Sequence, residues 1–388
     1  GYSSAASDVY KRQDVDDLNQ FLQNNTGKIV QLTQDIQVYK NTNGSFGIIM
    51  VPSDTILDGN GHRLVMKAGY TEAPDVGVVL YVYKNGVIPS TNCGVKNLST
   101  DIPYVNSINV FSADNILIEN NTLNNATKSG IMISDEYGST VNGIIRGNTI
   151  NNVGDDAIAV YGNHSNLLID SNRISGAKGF AGIAISCLQN GQQIRVDNET
   201  TGPHDIIVTG NVVSGCSGEA LYCIGSYKTY ITYNTLRDSI LEGVCLDSGC
   251  IGNYFAHNEV VNNGIAGGLP GVSIDNGIYN IVDSNNVYNN SCSGIKLVRT
   301  GLGNIIVNNI CTDNAYNQMG AKSSGIDIEP LAVETENLGY IDGLGSNWNV
   351  VLNNTVTGSH DFGVFIADDD TANNGGSSVS YTHLRAHE

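Results

Sequence analysis

An asparagine followed two positions later by an aliphatic residue recurs at Asn121, Asn148, Asn172, Asn211, Asn234, Asn258, Asn285, Asn308 and Asn354. Successive members stand 27, 24, 39, 23, 24, 27, 23 and 46 residues apart. A near-constant period of this kind marks a repeat architecture, in which each unit buries its apolar face against the next. Stacked Asn side chains can satisfy turn backbone groups and bond the Asn above, which gives such a ladder a physical reason. The two long intervals predict turns that carry insertions.

A second element, a small residue followed by aliphatic-x-aliphatic, begins at Gly130, Ala157, Gly182, Ala220, Gly243, Gly271, Gly294, Gly325 and Gly363. Alternation with period two predicts strands with one buried face. Two or three such strands per turn, bent at Gly and Asn, close a coil whose neighbouring turns lie about 4.8 Å apart. The expected fold is therefore all-β, a parallel β-helix solenoid over residues 28–378. A short N-terminal capping helix is expected in residues 14–27, where Val15, Leu18 and Leu22 follow an acidic start at helical spacing. Forty-five Gly, seven Phe and one Trp suit many tight turns around thin aliphatic layers.

Over roughly residues 28–370 the pattern resembles the pectin-lyase-like β-helix superfamily. The resemblance implies a right-handed coil, a carbohydrate ligand and a secreted or cell-surface location. The ends stand apart. Segments 3–13 (SSAASDVYKRQ) and 379–388 (VSYTHLRAHE) resemble translated sequencing-adapter read-through, so residues 1–13 and 379–388 are set aside as non-native, His383 and His387 with them. The lack of a visible secretion signal then carries no information.

A formal net charge of −19 disfavours nucleic acid and anionic membrane surfaces as partners. No stretch approaches the roughly 18 apolar residues of a membrane span. Eight Cys include no paired CxxC, so no structural metal site is expected; Cys245 and Cys250 are the closest pair for a disulfide. Association into a homo-oligomer is left open.

In-register repeats allow the outward positions to be aligned turn by turn. One series reads Met132, Ala159, Ala184, Tyr222, Cys245, Ser273, Lys296, Asp327, Phe365; the next reads Ser134, Tyr161, Ser186, Ile224, Asp247, Asp275, Val298, Glu329, Ala367. Asp247, Asp275, Lys296, Asp327 and Glu329 fall on four consecutive turns, with Arg299, Glu242 and Glu219 alongside. Two like charges one turn apart are unfavourable unless a proton or a cation compensates. Insertions at 187–205 and 330–347 leave from the same corner and bracket these turns. Tyr340 and Trp348 offer a stacking platform for a sugar, and Tyr161, Tyr222, Glu242 and Arg299 are further candidates for substrate binding.

Glycoside hydrolysis requires two carboxyls, about 5–5.5 Å apart for retention or about 6.5–9.5 Å for inversion. Asp247 with Asp275, and Asp275 with Asp327, supply one-turn and two-turn separations. The favoured expectation is a carbohydrate-active enzyme with Asp247, Asp275, Asp327 and Glu329 as acid, base or nucleophile and no cofactor. One alternative is a uronate lyase or C5-epimerase with Lys296 or Arg299 as base and Ca²⁺ on the substrate carboxylate. The other is a glycan-binding adhesin or tailspike-like protein. Gly154-Asp155-Asp156 resembles a polygalacturonase strand start, but Thr127-Lys128-Ser129 and Phe180-Ala181-Gly182 stand where that family has Asn-Thr-Asp and Gly-His-Gly. Asp155 and Asp156 are therefore read as turn caps, and His62 and His164 as turn or surface residues.

Overall fold

The computed structural model describes residues 7–11, 14–40, 47–80, 82–83, 87–88, 90–136, 138–189, 192–193, 202–299, 301–316, 324–329, 346–358, 362–367, 379–382 and 385–387. The chain is a parallel β-solenoid that divides into two compact units, residues 1–179 and 180–388. In each, the backbone passes repeatedly through three parallel sheets, named A, B and C here.

In the first unit the one helix among the described residues, Val15–Asn24, buries Val15, Leu18 and Leu22 as the spacing predicts, and the Asp14 side chain caps it by accepting from the Asp16 N–H. Asn19 ties the helix to the first strand of sheet C through Ile48 O and the Met50 N–H. Coils then follow in the order A, B, C, for example Ala113–Glu119, Thr122–Asn124 and Ile131–Ser134. Ser7–Tyr10, set aside on sequence, pairs in parallel with Ile29–Leu32 and buries Tyr10.

In the second unit sheet C runs through Ala181–Ser186, Glu219–Ile224, Val244–Asp247, Val272–Asp275, Ile295–Val298, Ser324–Glu329 and Phe362–Ile366. Val379–Thr382 and Arg385–His387, also set aside, extend sheets A and B by pairing with Asn349–Leu352 and Thr355–Thr357. The inward residues Val244, Val272, Ile295 and Ile326 stack on one another with no exposed surface, burying a continuous aliphatic column.

Corners set the coil. Each turn from A to B places one residue in the left-handed region just before the ladder Asn: Asn120, Gly147 and Ser171 in the first unit, and Gly210, Tyr233, His257, Ser284, Asn308 and Asn353 in the second. The ladder itself is continuous within each unit. Asn121 and Asn148 donate to the Oδ1 of Asn148 and Asn172, both at 3.0 Å. Asn211, Asn234, Asn258, Asn285 and Asn309 donate in the same way to the next member, ending at Asn354, over 2.9–3.0 Å. One correction applies: the member after Asn285 is Asn309, while Asn308 occupies the exposed corner. The true element there is Asn309-Ile310-Cys311, with Cys311 in place of the aliphatic, and the double Asn hid the one-residue slip.

Candidate active site

Sheet C of the second unit carries the ionisable stripe. Its register aligns Tyr222, Cys245, Ser273, Lys296, Asp327 and Phe365 in one column and Ile224, Asp247, Asp275, Val298 and Glu329 in the next, as the sequence alignment predicts. Although these positions point outward from the coil, the stripe is largely closed to solvent. Ala184, Ser186, Tyr222, Ile224, Cys245, Ser273 and Asp327 are all buried. Residues in one column lie only about 4.8 Å apart and shield each other, and the Phe180 ring stands edge-on to Tyr222 at 4.8 Å between centroids.

Two groups share the stripe. In the first, Asp247 and Asp275 are direct partners on neighbouring strands. Asp247 accepts from the Tyr222 hydroxyl at 2.7 Å, from the Ser248 hydroxyl at 2.5 Å and from the Ser248 N–H at 2.6 Å. The Nε of Arg299 lies 3.2 Å from Asp275 Oδ1 as an ion pair, yet that oxygen has no hydrogen-bond partner among the described residues. Burial pushes the Asp275 carboxyl up to about 7, the Asp247 and Glu242 charges push the same way, and Arg299 opposes them. Glu242 is likewise raised to about 7, first by burial and then by Asp247, against its own backbone hydrogen bond.

In the second group, Lys296 bridges two acids of the next strand, at 3.5 Å from Asp327 Oδ2 and 2.9 Å from Glu329 Oε2. Asp327 is 1 % exposed and accepts from the Ser293 hydroxyl at 3.2 Å; its Oδ1 has no partner among the described residues. Burial raises Asp327 to about 6 although Lys296 pulls it down. Burial disfavours the Lys296 ammonium, but Asp327 and Glu329 outweigh it and hold the group above the ordinary lysine value.

The other sequence candidates fare differently. Trp348 is 69 % exposed, and Ser346, two residues earlier, fastens its segment to the backbone oxygens of Arg299 and Glu329 at 2.9 and 3.4 Å. Tyr340 and residues 330–345 lie outside the described residues, as do 190–191 and 194–201 of the first insertion, from which Leu188–Gln189 and Gln192–Gln193 form a short antiparallel pair. Tyr161 belongs to the first unit, where its hydroxyl donates to buried Asp156. Asp156 thus anchors a side chain, a more specific role than the turn cap expected. His164, read as a turn or surface residue, lies just after the bend at 162–163 but is wholly buried: Nδ1 accepts from the Thr140 N–H at 2.8 Å and Nε2 lies 2.8 Å from Tyr161 O. All eight cysteines are free and buried, Cys245 and Cys250 included. Among the described residues no cluster of three or more His, Cys, Asp or Glu is arranged to hold a metal ion.

Sequence reasoning missed Ser248, Ser293 and Phe180. All three lie one or two residues outside a strand, where the period-two pattern that located the stripe has stopped.

A family model described as a right handed beta helix region matches residues 80–201. No curated protein matches the chain. Among solved structures it is similar to the A-module of mannuronan C-5 epimerase AlgE4 from Azotobacter vinelandii, at 12 % identity and a TM-score of 0.52, covering 98 % of this chain and 96 % of that one. It is also similar to the periplasmic alginate epimerase AlgG, at 14 % identity and a TM-score of 0.54, over 97 % and 84 % of the two chains. A third is PfbA, a surface adhesin of Streptococcus pneumoniae, at 11 % identity and a TM-score of 0.50, over 96 % and 86 %. At these identities the likeness establishes the right-handed β-helix fold.

Proposed function

We propose that this β-helix is a secreted or cell-surface enzyme that cleaves or transfers glycosidic bonds of a poly- or oligosaccharide laid across sheet C of the second unit. The observation that carries the reading is Asp247 in register with Asp275, the latter buried and raised to about 7. A carboxyl that keeps its proton near neutrality is what a general acid needs. Asp275 gives its proton to the glycosidic oxygen as the bond to the anomeric carbon breaks. Asp247, held by Tyr222 and Ser248, serves as the partner carboxylate that attacks that carbon; in-register neighbours match the separation of about 5 Å associated with retention. Glu329, fixed by Lys296, contacts the adjoining sugar, buried Asp327 holds Lys296 in place beneath it, and Trp348 offers a ring for stacking.

A second reading, C5-epimerisation or β-elimination of a uronate, draws support from the two epimerases with the same fold. It requires Lys296 or Arg299 to act as a base. The ion pairs of Lys296 with Asp327 and Glu329 keep it charged and so oppose that role.

The two readings separate on a panel of plant and algal polysaccharides in D₂O, assayed for new reducing ends, for the ultraviolet absorbance of an unsaturated product and for deuterium at C5 of the sugar, with and without EDTA. Hydrolysis yields reducing ends alone, and an unsaturated chromophore or deuterium at C5 without chain cleavage supports the second reading. Asp275→Asn and Asp247→Asn are each expected to lower turnover by about 10²-fold or more. A loss below about tenfold in both variants would remove the assignment. No turnover on any glycan would favour a binding protein.

A further inference from the structure

We infer that Tyr279 and Trp348 form an aromatic platform that grips the sugar rings of the glycan beside the stripe, at the corner where sheet C passes into sheet A. The inference rests on the functional reading above, which seats the glycan on sheet C. Successive coils of the second unit place Asp205, Lys228, Gly252, Tyr279, Gly303 and Trp348 at one corner position, all in the left-handed region at φ 51–62°. A repeated bond fixes the position, each N–H donating to the carbonyl just before its counterpart on the next coil: Gly252 to Ile278 O at 3.0 Å, Tyr279 to Leu302 O at 2.9 Å and Gly303 to Asn347 O at 2.9 Å. Tyr279 follows Asp275 by four residues in the same coil. Trp348 comes two residues after Ser346, which is fastened to the backbone oxygens of Arg299 and Glu329.

Glycine takes the left-handed conformation freely, as Gly252 and Gly303 do at this corner, whereas a bulky residue takes it at a cost. Burial does not offset that cost, because Tyr279 is 57 % and Trp348 69 % exposed. A contact made to a ligand accounts for strain held at an exposed ring. Tyr233, a comparably exposed ring at φ 57° on the corner between sheets A and B, has its partner within the protein, stacking on His257 at 5.1 Å. Between Tyr279 and Trp348 the corner carries no side chain. A Cβ on Gly303 would stand 2.6 Å from Cε1 of Tyr279, so the Tyr279 ring reaches across Gly303 towards the coil of Trp348. The two corner positions lie two turns apart, about 10 Å, and the ring across Gly303 fills that interval with an apolar surface long enough for two consecutive sugar rings. Pyranoses expose C–H groups on their faces and hydroxyls at their edges, which suits a flat aromatic body with a polar tip. The glycan then runs parallel to the coil axis, one flank on this platform and its scissile bond over Asp247 and Asp275.

Trp348 is the one Trp of the chain, so tryptophan fluorescence reports on this platform alone. Hexamers of glucose, mannose, xylose, glucosamine, mannuronate and galacturonate are titrated into the full chain while that emission and turnover are followed. The hexamer turned over fastest is expected to shift the emission to shorter wavelength and to saturate. Tyr279→Gly, which suits the corner backbone as Gly252 and Gly303 do, is expected to melt like the parent, to bind that hexamer at least about tenfold more weakly and to raise KM in proportion, with kcat within about threefold. Tyr279→Phe keeps the flat ring and is expected to bind within about threefold of the parent, and Tyr233→Gly to change nothing. An emission that ignores a hexamer being turned over, a Tyr279→Gly variant that binds like the parent, or a loss confined to kcat overturns the inference and leaves the functional reading in place. An emission shift that follows protein concentration without glycan also overturns it, by making the rings a contact between copies. Binding that depends on Tyr279 without turnover of any hexamer supports the platform and overturns the functional reading, and neither binding nor turnover overturns both.

Discussion

Asp275 owes its elevated pKa first to burial and then to Asp247 and Glu242, with Arg299 too weak a counterweight to reverse them. Glu242 and Asp327 share the same primary cause. In the folded chain these three carboxyls hold protons that the unfolded chain has already released. Their stabilising contribution is therefore complete below the unfolded carboxylate values, near 4, and is lost as pH rises through about 6 and about 7. The second unit should thus melt at a lower temperature at about pH 8 than at about pH 5, and Asp275→Asn should narrow that gap by several degrees, chiefly by raising the value at the higher pH. Calorimetry on the two proteins checks this, and a parent protein more stable at the higher pH would refute the assignment of protons. The same ionisation should end catalysis on the alkaline side, with kcat falling above about pH 7 as Asp275 gives up its proton.

Along each strand, the column register was legible because side chains alternate strictly and a slip of one residue would turn an apolar column outward. The solvent exposure of that register was not legible, because burial depends on what the neighbouring turns and the Phe180 ring cover rather than on alternation. For the same reason the burial of His164, read as a turn or surface residue, was not legible, although both ring nitrogens are engaged inside the first unit. The Asn ladder shows where a sequence pattern becomes ambiguous: Asn308 and Asn309 both fit it, and only the stacking distinguishes them. Asn258 is almost wholly buried and donates to Ile231 O at 2.8 Å and Asn285 Oδ1 at 3.0 Å, while its own Oδ1 receives Asn234 at 3.0 Å. Asn258→Ala should destabilise by about 2–4 kcal/mol, because it removes buried side-chain hydrogen bonds that join three turns and leaves the Asn234 amide without its acceptor. Asn308→Gly, at an exposed corner already at φ 58°, should cost less than about 1 kcal/mol. Urea titrations of the two variants decide the matter, and equal losses would return the ladder to Asn308.

For the molecule as a whole, the repeat that makes the fold readable also makes its energetics local, since a solenoid's stability is summed over turns and their nearest neighbours. The shifted groups that titrate between about pH 5 and about pH 8 are segregated by unit, with opposite signs. His164, in the first unit, is held below its ordinary value by burial. Its Nδ1 accepts a backbone N–H, so a second ring proton would break that bond. The unfolded chain takes up this proton below about pH 6.5, and the first unit therefore loses stability as pH falls through that value. The second unit, governed by Asp275, Glu242 and Asp327, gains stability over the same interval. Asp8 and Asp283, the carboxyls shifted downward, release their contribution only below the ordinary value of 3.8 and do not disturb the comparison. Hydrogen exchange read peptide by peptide, after correction for its intrinsic pH dependence, should show protection around residues 140–170 rising from about pH 5 to about pH 8 while protection around residues 219–329 falls. A common direction in both segments would mean that the buried charges of one unit are not titrating as their surroundings require.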